Sequence, residues 1–236
     1  MRAQTRRQLK QDRFAETAKE TYSWAVEHRG KLIVGGTILG IALAVGLGSW
    51  FYMQYREQQA SMELGRAMRT YDAPIRAPGT PAAPDVSSFA SARERAKAAE
   101  EQFRSVADKY RRTKAGQIAR YFVGITAISA GDLGDAEGQL KEVSNSRDQD
   151  LASLAKFALA SLYRNSRRPE QAIQIYKELS EHTTRSVSKN AAQLELASLY
   201  EPGQPQEAKR IYEQIQKENP RGAAGEFASG RLQNLK

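Results

Sequence analysis

Two histidines and no cysteine are the whole stock of imidazole and thiol chemistry in this 236-residue chain. His28 and His182 stand far apart in sequence, so a Ser-His-Asp arrangement or a His-rich metal centre has almost nothing to build from. A disulfide framework, a thiolate nucleophile and a cysteine metal site are excluded outright. The run Gly131-Asp132-Leu133-Gly134-Asp135-Ala136-Glu137-Gly138 has the glycines and carboxylates of a phosphate or calcium loop. It lacks the Lys-Ser/Thr ending of the first and the alternating oxygen ligands of the second, so it reads as a turn. Charged stretches such as Arg93 to Lys97, or Arg164, Arg167 and Arg168, read as solvated faces. The expectation is a protein that is not an enzyme and takes no cofactor or metal.

The chemistry that remains is that of surfaces, and a repeat of 36 or 37 residues places it. Leu159-Ala160-Ser161-Leu162-Tyr163 returns unchanged as Leu196-Ala197-Ser198-Leu199-Tyr200, 37 residues on. Each copy is followed by a segment opening on proline, Pro169 or Pro205, where a helix tolerates it in its first turn. Small residues pair across each hairpin: Gly124 with Ala136, Ala160 with Ala172, Ala197 with Ala208. Four residues past each second-helix alanine stands Leu140, Tyr176 or Tyr212, and three further on Val143, Leu179 or Ile215, an apolar stripe at helical spacing. The four tyrosines Tyr163, Tyr176, Tyr200 and Tyr212 read as packing residues. Units near 117–147, 153–184 and 190–220 follow this pattern, which resembles the tetratricopeptide repeat in its order of small, small, aromatic and apolar positions.

An interrupted fourth unit precedes these, with Leu64, Gly65 and Met68 on its first helix and Ala99, Phe103 and Val106 on its second. Between them a Pro-rich insertion, residues 73–88, holds Pro74, Pro78, Pro81 and Pro84 and cannot be helix. A final helix around Ala223 to Leu235 would cap the open end of the stack. Within the repeat register Arg120, Lys156 and Gln193 occupy equivalent first-helix positions, and they are the candidate partner-binding groove.

Upstream of the repeats, an uncharged run from Leu32 to Tyr55 lies between Lys31 and Arg56. At about 1.5 Å per residue its first 22 positions, Leu32 to Met53, would span roughly 33 Å, close to the hydrocarbon thickness of a bilayer. Residues 1–31 carry eight basic against four acidic side chains, which by the positive-inside rule keeps this tail cytoplasmic and sends residues 56–236 across. A cleaved leader is the competing reading. Against it, the only Ala-x-Ala site near the run, Ala42-Leu43-Ala44, lies inside the apolar stretch. Trp50, Phe51, Tyr52 and Tyr55 gather at one end of the run, as interfacial aromatics do. Gly36, Gly40, Ala44 and Gly48 line one face at four-residue spacing and would let another transmembrane helix approach closely, a membrane-embedded partner or a homodimer.

The fold class expected is all-α: a single N-terminal transmembrane helix, residues 32–55, then a tetratricopeptide-like α-solenoid of helical hairpins. The net charge of +9 is spread over the chain and the basic tail, with no concentrated stripe carrying aromatics, so nucleic-acid binding is not expected. The layout of basic tail, anchor, continuing helix and repeat domain, carried by Lys31 to Tyr55 and Leu159 to Ile215, resembles the ancillary SecYEG translocon subunit family (YfgM-like proteins) of bacterial inner membranes. The resemblance implies a single-pass adaptor with a periplasmic C-terminal domain. Its implied partners are translocon subunits, a periplasmic chaperone or prolyl isomerase, and emerging polypeptides. A structural accessory subunit of another inner-membrane or envelope complex is the alternative.

Overall fold

Helices begin where the sequence supplies an acceptor for their unpaired N–H groups. In a computed structural model describing residues 24, 26–77 and 88–235, Ser91 caps the helix Ala92–Lys109 and Thr113 caps Lys114–Ala130. Asp132, Asp148 and Ser188 cap Leu133–Ser144, Gln149–Asn165 and Lys189–Tyr200 in the same way, each side chain accepting from the N–H three residues on. Two further helices, Pro169–Glu181 and Pro205–Glu218, instead carry proline in the first turn, where the missing N–H costs nothing. With the long N-terminal helix Arg29–Tyr71 and the last, Ala223–Asn234, nine helices are described, numbered α1 to α9 in chain order. The described residues contain no strand, only an isolated bridge between Ile75 and Phe89. The basic tail up to residue 23, and Pro78, Pro81 and Pro84 of the insertion, lie outside the described residues.

The chain divides between Tyr55 and Arg56 into two units. In the first, α1 up to Tyr55 is a single helix whose apolar side chains face outward, Ile33, Val45 and Phe51 each being 64 to 66% exposed. This helix is long and apolar enough to cross a membrane.

The second unit is a stack of hairpins in which consecutive helices pack on each other, and the first helices α3 and α5, and α7 and α9, also touch. The hairpins α3/α4, α5/α6 and α7/α8 coincide with the three sequence repeats. Close packing inside each follows from the small pair: Ala136, Ala160, Ala172, Ala197 and Ala208 are fully buried. A Cβ added to Gly124 would come within 2.8 Å of Leu140, so no larger residue fits there without movement. The stripes fill the interior, with Leu140, Tyr176, Tyr212 and Ile215 all inaccessible to solvent. Burying side chains of this size contributes about 1.5–3 kcal/mol each.

The interrupted fourth unit is present. Ala60 and Ala67 of α1 join Ala99, Phe103 and Val106 of α2 in one buried cluster, with Leu64, Met68 and Tyr71 packed at its edge. Tyr71, Phe103 and Phe122 form an aromatic triad with centroids 5.0 to 6.1 Å apart, tying the end of α1 to α2 and α3. A second cluster runs from Ala127 to Ala228 and holds the three regular hairpins and α9 together.

Candidate interaction surface

Arg120 begins the site, because it is a charged group with only 9% of its surface exposed. Burial of a guanidinium requires partners, and α4 supplies them. Arg120 Nη1 donates to Gln139 Oε1 and to Glu142 Oε2, both at 3.0 Å. Its Nη2 reaches back toward α2, 3.4 Å from Asp108 Oδ1. One repeat later Lys156 Nζ donates to Glu178 Oε1 at 2.5 Å. The partners are equivalent: Glu142 follows Arg120 by 22 residues, as Glu178 follows Lys156. In the third repeat Gln193 replaces the cation and Gln214 stands at the acid's position. Gln193 is 8% exposed, and its Oε1 is buried without a hydrogen-bond partner among the described residues.

Side chains surround the first two of these pairs in matching fashion. A cavity of about 610 Å³ lies beside Arg120, with Gln117, Glu142, Val143 and Ser146 among its walls. A smaller one of about 220 Å³ lies beside Lys156, lined by Ser153, Glu178, Leu179 and His182. A shift of 36 residues carries each of these residues of the first cavity onto its counterpart in the second. Ser146 Oγ donates to Gln117 Oε1 at 2.6 Å, and Ser153 Oγ bonds to Thr184 Oγ1 at 2.7 Å, so both repeats tie the first helix to the loop after the second. A third cleft, about 840 Å³, lies between α1 and α2; Arg66 and Arg69 are offset there by Glu63 and Asp72.

Electrostatics elsewhere hold the hairpins together. Glu137 on α4 accepts from Tyr163 Oη at 3.0 Å and Arg168 Nη2 at 2.8 Å, and pairs with Lys141 at 2.6 Å. The Arg168 guanidinium, then Lys141, holds its carboxyl down to about 2. Burial, and the hydrogen bond that its hydroxyl donates to Glu201, push Tyr212 up to about 12. Asp135 is likewise held below the usual carboxylate range by Arg104 at 2.6 Å. These are structural contacts between helices, each on an element that the repeat positions.

Several residues were not singled out by sequence reasoning. Arg111, Arg112 and Arg147 sit in loops, outside any periodic stripe, yet line the cavity beside Arg120. Glu57 accepts from the N–H groups of Lys114 at 2.7 Å and Ala115 at 3.0 Å, an anion placed on the N-terminus of α3. Gly116 and Gly225 each pack against the preceding turn: an added Cβ would stand 2.0 Å from Tyr110 O and 1.8 Å from Asn219 O. The shared spacing Tyr110-x-x-Thr113-x-x-Gly116 and Asn219-x-x-Gly222-x-x-Gly225 was the available signal.

The remaining candidates lie in the first unit. Gly36, Gly40, Ala44 and Gly48 are all exposed on α1, and among the described residues nothing stands within 4 Å of a Cβ placed on any of the three glycines. His28 stacks on Trp24 at 4.9 Å, and His182 ends α6. Among the described residues no group of three or more His, Asp or Glu could hold a metal ion. The run at Gly131, expected to be a turn, is the turn between α3 and α4. Gly131 takes φ of 87° to end one helix and Asp132 caps the next.

A family model described as a tetratricopeptide repeat-like domain matches residues 23–236. No curated protein sequence matches the chain. Two crystal structures of a Podosopora anserina protein, described as a kinesin light chain with nearly identical TPR-like repeats, share the fold. One, a point variant, is 18% identical with a TM-score of 0.52 over 75% of this chain and 84% of its own. The other is 17% identical, also at 0.52, over 75% of this chain and 85% of its own. At that identity the likeness concerns fold alone.

Proposed function

We infer what this chain does from the premise that it belongs to the tetratricopeptide repeat-like domain family: it is a membrane-anchored scaffold for protein–protein interaction. Stacked hairpins offer an extended surface assembled from equivalent side chains, which suits segments of other proteins better than a small substrate. The observation that carries this reading is the recurrence of a cleft with five equivalent wall positions at Arg120 and at Lys156. Arg120 and Lys156 line its polar side in successive repeats, Gln193 stands at the equivalent position of the third, and the three are the groove residues of this reading.

The outward-facing apolar side chains of residues 33–55 support the anchor, since such a surface is stable in hydrocarbon and unstable in water. Residues 1–31 then form a cytoplasmic tail, 32–55 a signal-anchor and 56–236 an extracytoplasmic domain. The layout resembles that of YfgM-like proteins. It supports an adaptor at the bacterial inner membrane, meeting translocon subunits, a periplasmic chaperone or prolyl isomerase, and emerging polypeptides. A second reading, an accessory subunit of another inner-membrane or envelope complex or a homodimer, is favoured by the open face of Gly36, Gly40, Ala44 and Gly48.

Mild-detergent copurification of the full chain from its native membrane tests both. The adaptor reading expects translocon subunits and periplasmic folding factors with the wild type, and their loss when Gly36, Gly40 and Gly48 are replaced by Leu. Recovery of one different complex at fixed stoichiometry supports the second reading. Recovery of no protein at all overturns the scaffold.

A further inference from the structure

The cavity beside Arg120 is larger than its repeat at Lys156 and carries at its rim loop arginines that the second cavity lacks. Arg111 and Arg112 come from the turn between α2 and α3, and Arg147 from the turn between α4 and α5. Among the described residues, four arginines and a single carboxylate, Glu142, therefore line this cleft. Arg120 spends its charge on Glu142 and Asp108 at the base. Arg111 stands 3.6 Å from Glu142, in a pair whose side chains are 65% and 51% exposed, which screens it heavily. Arg112 and Arg147 are exposed and have no ion pair among the described residues. The rim is thus an unneutralised pair of guanidinium groups above a floor formed in part by Val143, itself 3% exposed.

We propose that this cleft is the docking site for an acidic segment of a partner protein, its carboxylates held by Arg112 and Arg147. Charge complementarity selects the occupant, because a guanidinium fork matches a carboxylate with two parallel hydrogen bonds. A volume of about 610 Å³ accommodates a few side chains of a chain segment. Among the described residues no aromatic one lines the cleft to stack a nucleobase, which disfavours single-stranded nucleic acid. Among the described residues of its walls no large apolar side chain is exposed to enter a bilayer, which disfavours a lipid surface. The proposal deepens the scaffold reading above and rests on it.

The test uses the full-length protein in detergent and a fluorescein-labelled peptide of alternating Glu and Ser, followed by fluorescence anisotropy. The wild type is expected to bind this peptide and not its Gln-Ser counterpart, more weakly as salt rises. Arg112→Glu with Arg147→Glu should weaken binding by about tenfold or more. The thermal melt should not move, because neither arginine holds an ion pair among the described residues. Arg112→Gln with Arg147→Gln should fall between. Unchanged affinity in the reversed variant overturns the proposal, and so does the absence of peptide binding by the wild type. Pelleting with phosphatidylglycerol vesicles, lost in the variant, without peptide binding would overturn it in favour of a membrane contact. Native partners recovered without peptide binding sink this proposal and leave the scaffold standing. No native partner at all removes the scaffold and this proposal with it.

Discussion

Glu137 gathers an arginine, a lysine and a tyrosine hydroxyl around one carboxylate, and so links α4 to α5 and to the turn after it. Its folded value near 2 lies below the ordinary 4.5, so the carboxylate contributes stability in full above about pH 4.5. That contribution is lost as pH falls toward 2. Glu137→Gln should cost about 1 kcal/mol at pH 7. It should also flatten the decline between pH 4.5 and 2, which urea midpoints measured at several pH values would show. Equal acid sensitivity in both proteins would assign the decline to other carboxylates. At this scale the sequence was legible where spacing is short. The Gly124/Ala136 and Ala160/Ala172 pairs follow from the helical period and the hairpin length. Arg120 and Lys156 were legible as equivalents, but the acids that hold them stand 22 residues away on another helix, beyond the reach of a single-helix period.

Among elements, the junction from a second helix into the next first helix is the most constrained. At Gly225 the helix α9 presses on the carbonyl of Asn219, leaving no room for a side chain. Gly225→Ala must displace backbone rather than a flexible side chain, at about 1–3 kcal/mol. Faster amide exchange confined to α9 would be the measured result; uniform exchange across the stack would show that α9 is not an independent terminal piece. Prolines made two helix starts readable, at Pro169 and Pro205, because each stands where the missing N–H is not needed; the capping side chains at Ser91, Thr113, Asp132, Asp148 and Ser188 were not read from the sequence. Glu57 was not readable as a cap, since it serves a helix that begins 57 residues after it. The loop arginines of the cleft were hidden for a similar reason: only the meeting of two turns brings them together.

The molecule as a whole joins an apolar helix to a stack whose core falls into two clusters, one spanning Ala60 to Val123 and one Ala127 to Ala228. If residues 32–55 sit in a bilayer, charge at their centre must be costly. Leu39→Arg with Leu43→Arg should weaken insertion by about 3 kcal/mol per substitution. Alkaline carbonate should then release the variant from membranes that retain the wild type, and equal retention would refute the anchor. Repeat architecture was open to sequence reasoning because periodicity survives small changes in period, whereas the clefts depend on what loops add to each repeat. One small feature has a practical use. Arg76 N–H donates to Phe89 O at 2.8 Å and Phe89 N–H to Pro74 O at 3.1 Å, so the two ends of the segment between α1 and α2 are stitched side by side. With its ends already joined, doubling the length of that segment costs only about 0.6 kcal/mol of closure entropy. An affinity tag or a small fluorescent domain can therefore be grafted between residues 77 and 88 while both flanking helices keep their register.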